Sequence, residues 1–94
     1  MDKLVVPKDL QELIRRMHPF LKKKVKTSLK TILSDPDSGK ALTKKLSGLR
    51  SFRIGSFRII YRVQEPERIE LVAIGPRKKI YKETYRRIQK EAGT

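Results

Sequence analysis

Apolar and polar residues alternate along Gly48 to Val63, GLRSFRIGSFRIIYRV, in two runs joined at Gly55 and Ser56. A period of two is that of a strand with one buried face, so the stretch reads as a β-hairpin. Phe52 and Ile54 fall on one side of it and Arg53 on the other. Phe57, Ile59, Tyr61 and Val63 share a face, opposite Arg58, Ile60 and Arg62. Gly followed by Ser suits a two-residue turn that needs positive φ at its first central position. With Ile54 to Phe57 as the turn, Arg53 and Arg58 become a cross-strand pair of like charges, their Cβ atoms roughly 5 Å apart. Such a pair repels, which suits either an anionic partner or a solvated strand face.

Elsewhere the period changes. Leu4, Val5 and Val6 suggest a short edge strand ended by Pro7. Leu10, Leu13, Ile14 and Met17 follow helical spacing from Lys8 until Pro19 interrupts it, and Leu21, Val25, Leu29, Ile32 and Leu33 mark a second helix. The two are expected to form an antiparallel hairpin, closed by the turn cluster Asp35 to Gly39. His18, at the boundary between them, reads as a cap or surface residue. Leu42, Leu46 and Leu49 predict an irregular or briefly helical segment. A turn follows from Glu65 to Arg68, and Ile69 to Ile74, apolar on both sides, reads as a strand in the middle of a sheet. Gly75 and Pro76 stop it, and Ile80, Tyr81, Thr84, Tyr85 and Ile88 fit a closing helix to about Ala92. The pattern predicts one α+β domain over residues 1–94, its helices packed on one face of a small antiparallel sheet.

Charge narrows the function. Lys and Arg number 24 against 10 Asp and Glu, a net charge of +14. So large a charge on so short a chain opposes compaction, and its natural counterpart is a polyanion, nucleic acid first and an acidic protein next. There is no Cys, hence no disulfide framework or thiolate site, which is compatible with a cytoplasmic location. Apolar runs are only a few residues long, so neither a membrane span nor an export signal is expected. No spacing of the acidic residues resembles a metal site or a catalytic carboxylate pair, and no cofactor is expected.

Leu46, Ser47, Gly48 and Leu49, followed by Phe52, Arg53, Ile54, Gly55, Ser56, Phe57, Arg58, Ile59, Ile60 and Tyr61, resemble the hairpin of the RelE/ParE toxins of toxin–antitoxin systems. Gly75, Arg77 and Tyr81 resemble that family's glycine, arginine and later tyrosine after the last strand. The resemblance implies a RelE-like β-α-α-β-β-β-α fold and an acidic, RelB-like antitoxin partner. For the RelE branch it implies endonucleolytic cleavage of mRNA in the ribosomal A site, and the positions matching the reactive residues are Arg53, Arg58, Arg77 and Tyr81. This chain departs from the pattern at Ser51, where RelE-type enzymes carry a second basic residue, and at Pro76, where many carry histidine.

Without a metal or thiol, RNA cleavage proceeds by attack of a 2′-OH on its neighbouring phosphate. Arginine forks match that phosphate bidentately but are poor proton shuttles, so positioning by the ribosome must supply much of the rate. In this reading Arg58 and Arg77 stabilise phosphate charge, Arg53 contacts backbone, and Tyr81 assists proton transfer or stacks on a base. Lys44, Lys45, Arg50, Arg62, Lys78 and Lys79, with Lys22 to Lys26 and Lys40, are candidate RNA contacts that orient without reading sequence. Two other classes stay open: a ParE-like inhibitor of DNA gyrase that cuts nothing, and an inactive RNA-binding or antitoxin-titrating protein.

Overall fold

The computed structural model describes residues 3–64 and 68–92. In chain order it contains β1 (Lys3–Val5), α1 (Lys8–Arg15), α2 (Pro19–Ser34), β2 (Lys40–Ala41), a 3₁₀ turn (Lys44–Leu46), β3 (Arg50–Ile54), β4 (Phe57–Gln64), β5 (Arg68–Pro76) and α3 (Arg77–Ala92). The strands form one sheet in the order β1-β5-β4-β3-β2. Neighbours are antiparallel except that β1 lies parallel to β5 at one edge, which makes the sheet mixed where the sequence suggested an antiparallel one. The turn expected at Glu65 to Arg68 lies outside the described residues except for Arg68, which opens β5.

Local signals explain most boundaries. Pro19 occupies the first position of α2, where its missing N–H is no loss. His18 is the N-cap, its Nδ1 accepting the Phe20 N–H at 3.2 Å. Pro36, just past the Asp35 C-cap, cannot continue the helix. One element was not foreseen: Lys40 and Ala41 pair with Ser51 and Arg50 as the outermost strand. The closing helix is present as α3 and begins at Arg77, so Arg77, Lys78 and Lys79 form its first turn, ahead of the apolar spacing that starts at Ile80.

The helices cover both faces of the sheet, not one. Phe52, Ile54, Phe57, Ile59 and Tyr61 meet Leu10, Val25, Leu29 and Ile32 from α1 and α2. On the other face Leu49, Ile60, Val72 and Ala73 meet Ile80, Tyr81 and Ile88 of α3. Ile59 and Ile60 are neighbours in sequence, fully buried on opposite sides, and each contributes about 1.5–3 kcal/mol by leaving water. Covering both faces is what the two-sided apolar character of β5 requires.

A bulge sets the register of the site. Ile60 pairs with Ala73 but Tyr61 pairs with Leu71, so Val72 is an extra residue in β5. The phase of β5 therefore reverses there. Leu71 and Ile74, three apart, share the α1/α2 face, while Val72 and Ala73, adjacent, both serve the α3 face. Beyond the bulge Gly75 stands opposite Arg58.

Candidate functional site

The hairpin tip is built as the alternation predicts. Gly55 has φ +55° while Ser56 stays out of the left-handed region, the pattern of a turn with one positive φ at its first central residue. Arg53 and Arg58 are directly opposed across it. Both lie on the α3 face, since they share the alternation of Ile60. The Arg77 N–H donates to the Ser56 carbonyl at 2.8 Å, fastening the start of α3 to the turn. Gly75 leaves room for Ile80 of α3 against β5, because a Cβ there would lie 3.1 Å from Ile80 Cδ1.

Hairpin tip and helix start enclose an open cleft of about 550 Å³. Its lining is Arg53, Gly55, Ser56, Arg58, Pro76, Arg77, Lys78 and Lys79, five cations and no acidic side chain. The first turn of α3 also lacks an acidic residue, so the positive end of the helix dipole adds to the field there. Arg53 and Arg77 are exposed, whereas Arg58 is only 8% exposed. Its Nη1 donates to the carbonyls of Gly55 (3.1 Å) and Phe57 (3.0 Å). Among the described residues Nε and Nη2 of Arg58 make no further hydrogen bond, so the guanidinium is oriented by the turn with donors to spare.

Tyr81 stands one turn into α3, half-buried, with its hydroxyl 3.2 Å from Ser51 Oγ. Ser51 shares the face of Arg53 and is itself buried. Sequence reasoning passed over Ser51 as a missing cation, yet its position two residues before Arg53 was the signal that it faces the same side.

The remaining candidate cations divide. Lys78 and Lys79 line the cleft. Lys44 and Lys45 do not: Lys44 is exposed in the 3₁₀ turn with φ +56°, and the Lys45 ammonium sits 5.0 Å from the Tyr85 ring centroid, beside α3. Arg50 points to the α2–β2 loop, donating to the Gly39 carbonyl at 2.6 Å and pairing with Asp37 at 3.2 Å. Arg62 is held by its cross-strand neighbour Glu70 (Nε to Oε1, 3.0 Å), with Glu91 at 3.8 Å. Arg50 and Arg62 thus lie outside the cleft with carboxylates of their own.

The fold has known counterparts. The RelBE2 toxin–antitoxin complex of Mycobacterium tuberculosis contains a chain matching with a TM-score of 0.69 at 19% identity, over 81% of this chain and 98% of that one. A free Escherichia coli RelE toxin carrying two arginine-to-alanine changes matches with a TM-score of 0.74 at 16% identity, over 96% of each chain. The intact Escherichia coli RelBE complex gives 0.68 at 15% identity, over 81% of this chain and 96% of that one. At these identities the likeness is one of fold. No curated protein matches by sequence. The model of the ParE toxins of type II toxin–antitoxin systems (parDE) matches residues 6–81, the hairpin, the bulged strand and the first turns of α3 included. By that match the chain belongs to the ParE toxin family, within the RelE/ParE superfamily of type II toxin–antitoxin toxins.

Proposed function

We propose that this toxin is a ribosome-dependent endoribonuclease that cuts mRNA in the A site and so halts translation. The observation that carries the reading is the convergence of Arg53, Arg58 and Arg77 on one cleft without an acidic side chain. A phosphodiester is the natural occupant of such a place. The 2′-oxygen of one nucleotide attacks the adjoining phosphorus and the bond to the 5′-oxygen of the next breaks. The products are a cyclic 2′,3′-phosphate and a 5′-hydroxyl end. Arg58, fixed by the turn carbonyls, and Arg77 offset the charge that gathers on the phosphoryl oxygens. Arg53 holds the backbone beside them, and the Tyr81 hydroxyl, tethered to Ser51, moves a proton at the 2′- or the 5′-oxygen. Ribosomal positioning of the message supplies the rest of the rate.

The Escherichia coli neighbour is an intact RelBE toxin–antitoxin complex. An acidic antitoxin covering the cationic cleft is the corresponding partner here, and a net charge of +14 supports it. The test is primer extension on messages in a translation extract. New ends within codons are expected with the wild-type chain and none with Arg77→Ala; undiminished cutting by that variant would remove Arg77 from the mechanism.

One observation favours a second reading, inhibition of DNA gyrase without cleavage. The family match is to ParE toxins, and Ser51 and Pro76 stand where ribonuclease relatives carry further proton-transfer or phosphate groups. Induction in cells separates the two: intact messages with a DNA-damage response would support gyrase inhibition.

A further inference from the structure

A second groove, of about 510 Å³, lies on the opposite side of the hairpin tip from the cationic cleft. Phe20, Lys23, Lys24 and Thr27 line it from α2, at the spacing of one helix face, and Ile54 and Gly55 from the hairpin. Gly55 also lines the cationic cleft. The two depressions therefore meet at the turn, where glycine puts no side chain between them. Phe20 is 66% exposed, and the Lys24 ammonium lies 4.7 Å from its ring centroid. No acidic residue lines either depression.

A solvent-exposed aromatic among lysines, continuous with a phosphate-sized cleft, has the composition of a single-stranded nucleic-acid track. Bases stack on the ring and phosphates meet the cations. An amphipathic helix would fit the groove less well. Such a ligand needs several apolar sockets in series, and Ile54, the groove's other apolar residue, is 8% exposed. We propose that the RNA strand bound in the cationic cleft continues over the hairpin tip and stacks a base on Phe20, with Lys23 and Lys24 on the flanking phosphates. This rests on the cleft binding RNA, as proposed above, and adds a subsite distant from the reacting bond.

The test is fluorescence anisotropy of labelled oligoadenylates, one of about three nucleotides that fills the cleft alone and one of about ten that reaches the groove. Phe20→Ala should weaken the long oligonucleotide about tenfold, the loss of one base–aromatic stack, and leave the short one unchanged, while Phe20→Tyr restores affinity. Lys23→Ala with Lys24→Ala should flatten the salt dependence of log K for the long oligonucleotide by about 1.4, two phosphates' worth. Equal loss for both lengths, no loss for either, or no affinity of the wild-type chain for the long oligonucleotide would overturn the subsite. So would a Phe20 dependence confined to an acidic amphipathic peptide of glutamate and leucine, which would assign the groove to a protein. Message cutting in extract is read in parallel. Cutting without the Phe20 effect removes the subsite alone, and the Phe20 effect without cutting keeps the subsite and removes the nuclease.

Discussion

The hydroxyl of Tyr81 on α3 lies 3.2 Å from the hydroxyl of Ser51 on β3, a side-chain hydrogen bond that ties the final helix to the hairpin. Ser51 thereby fills the place beside Arg53 with an orienting group in place of a cation. Tyr81→Phe should slow message cutting by about a hundredfold or more if the hydroxyl moves a proton. Its cost to stability should be about 1 kcal/mol, the net worth of one hydrogen bond. Ser51→Ala should slow cutting only a few-fold, by loosening the phenol. Cleavage rates on programmed ribosomes beside urea unfolding decide it; unchanged rates for Tyr81→Phe would leave Tyr81 as a packing aromatic.

Tyr61 does comparable work on the other face. Fully buried, it donates to the Pro36 carbonyl at 2.7 Å and accepts the Gly39 N–H at 2.9 Å, pinning the α2–β2 loop. A Cβ on Gly39 would come within 2.7 Å of that hydroxyl and 2.8 Å of the ring, and a ring with no free surface has nowhere to go. Gly39→Ala should destabilise by about 1–3 kcal/mol through overpacking. Tyr61→Phe should cost a similar amount by leaving two backbone groups unpaired. Urea midpoints at constant m-value would show both.

Acid should loosen the contact between α1 and α3. Asp9 accepts from Arg87 Nη2 at 2.9 Å and faces its Nη1 at 2.8 Å. The hydrogen bond from Arg87, and then its charge, hold the Asp9 carboxyl below the ordinary 3.8. A carboxyl lowered in the folded state contributes fully above its unfolded value, and the contribution vanishes as pH falls through the folded one. Stability of the wild-type chain should therefore fall below about pH 4 more steeply than that of Asp9→Asn. At neutral pH that variant should cost less than about 1 kcal/mol, because the Asp9 side chain is 62% exposed. Parallel slopes in urea titrations across that range would contradict the pairing.

The hairpin was legible because two constraints agree on it: alternation fixes the faces, and Gly55 fixes the turn. The pairing of Arg53 with Arg58 followed from there, whereas the grouping of Arg77 with them came from the resemblance to the RelE/ParE toxins and not from alternation. Three things were hidden. The bulge at Val72 leaves no mark in an apolar run, because alternation cannot be followed through residues that are all apolar. The two-sided apolar run of β5 called for cover on both faces, but that α3 is the helix across the second one is set by the tertiary packing. The engagement of Arg50 and Arg62 depends on acids 13 and 8 positions away, Asp37 and Glu70, which local periodicity does not connect. Charge alone marks a basic residue as a ligand contact, and only the fold says which already hold a carboxylate.

Arg53 offers the sharpest separation of stability from function. It is exposed and stands directly across from Arg58, a pairing that opposes folding and that a purely structural hairpin has no reason to keep. Glutamate at the same position turns repulsion into attraction across the strands. Arg53→Glu should then raise stability by about 0.2–1 kcal/mol in urea unfolding. In the cleft the same change places a carboxylate where the proposed reading puts a phosphate. RNA affinity should fall, and the slope of log K against log salt should shrink by about 0.7 for the lost phosphate contact. A variant that is more stable and binds RNA as tightly as before would make Arg53 a solvated strand residue and leave Arg58 and Arg77 to hold the phosphate alone.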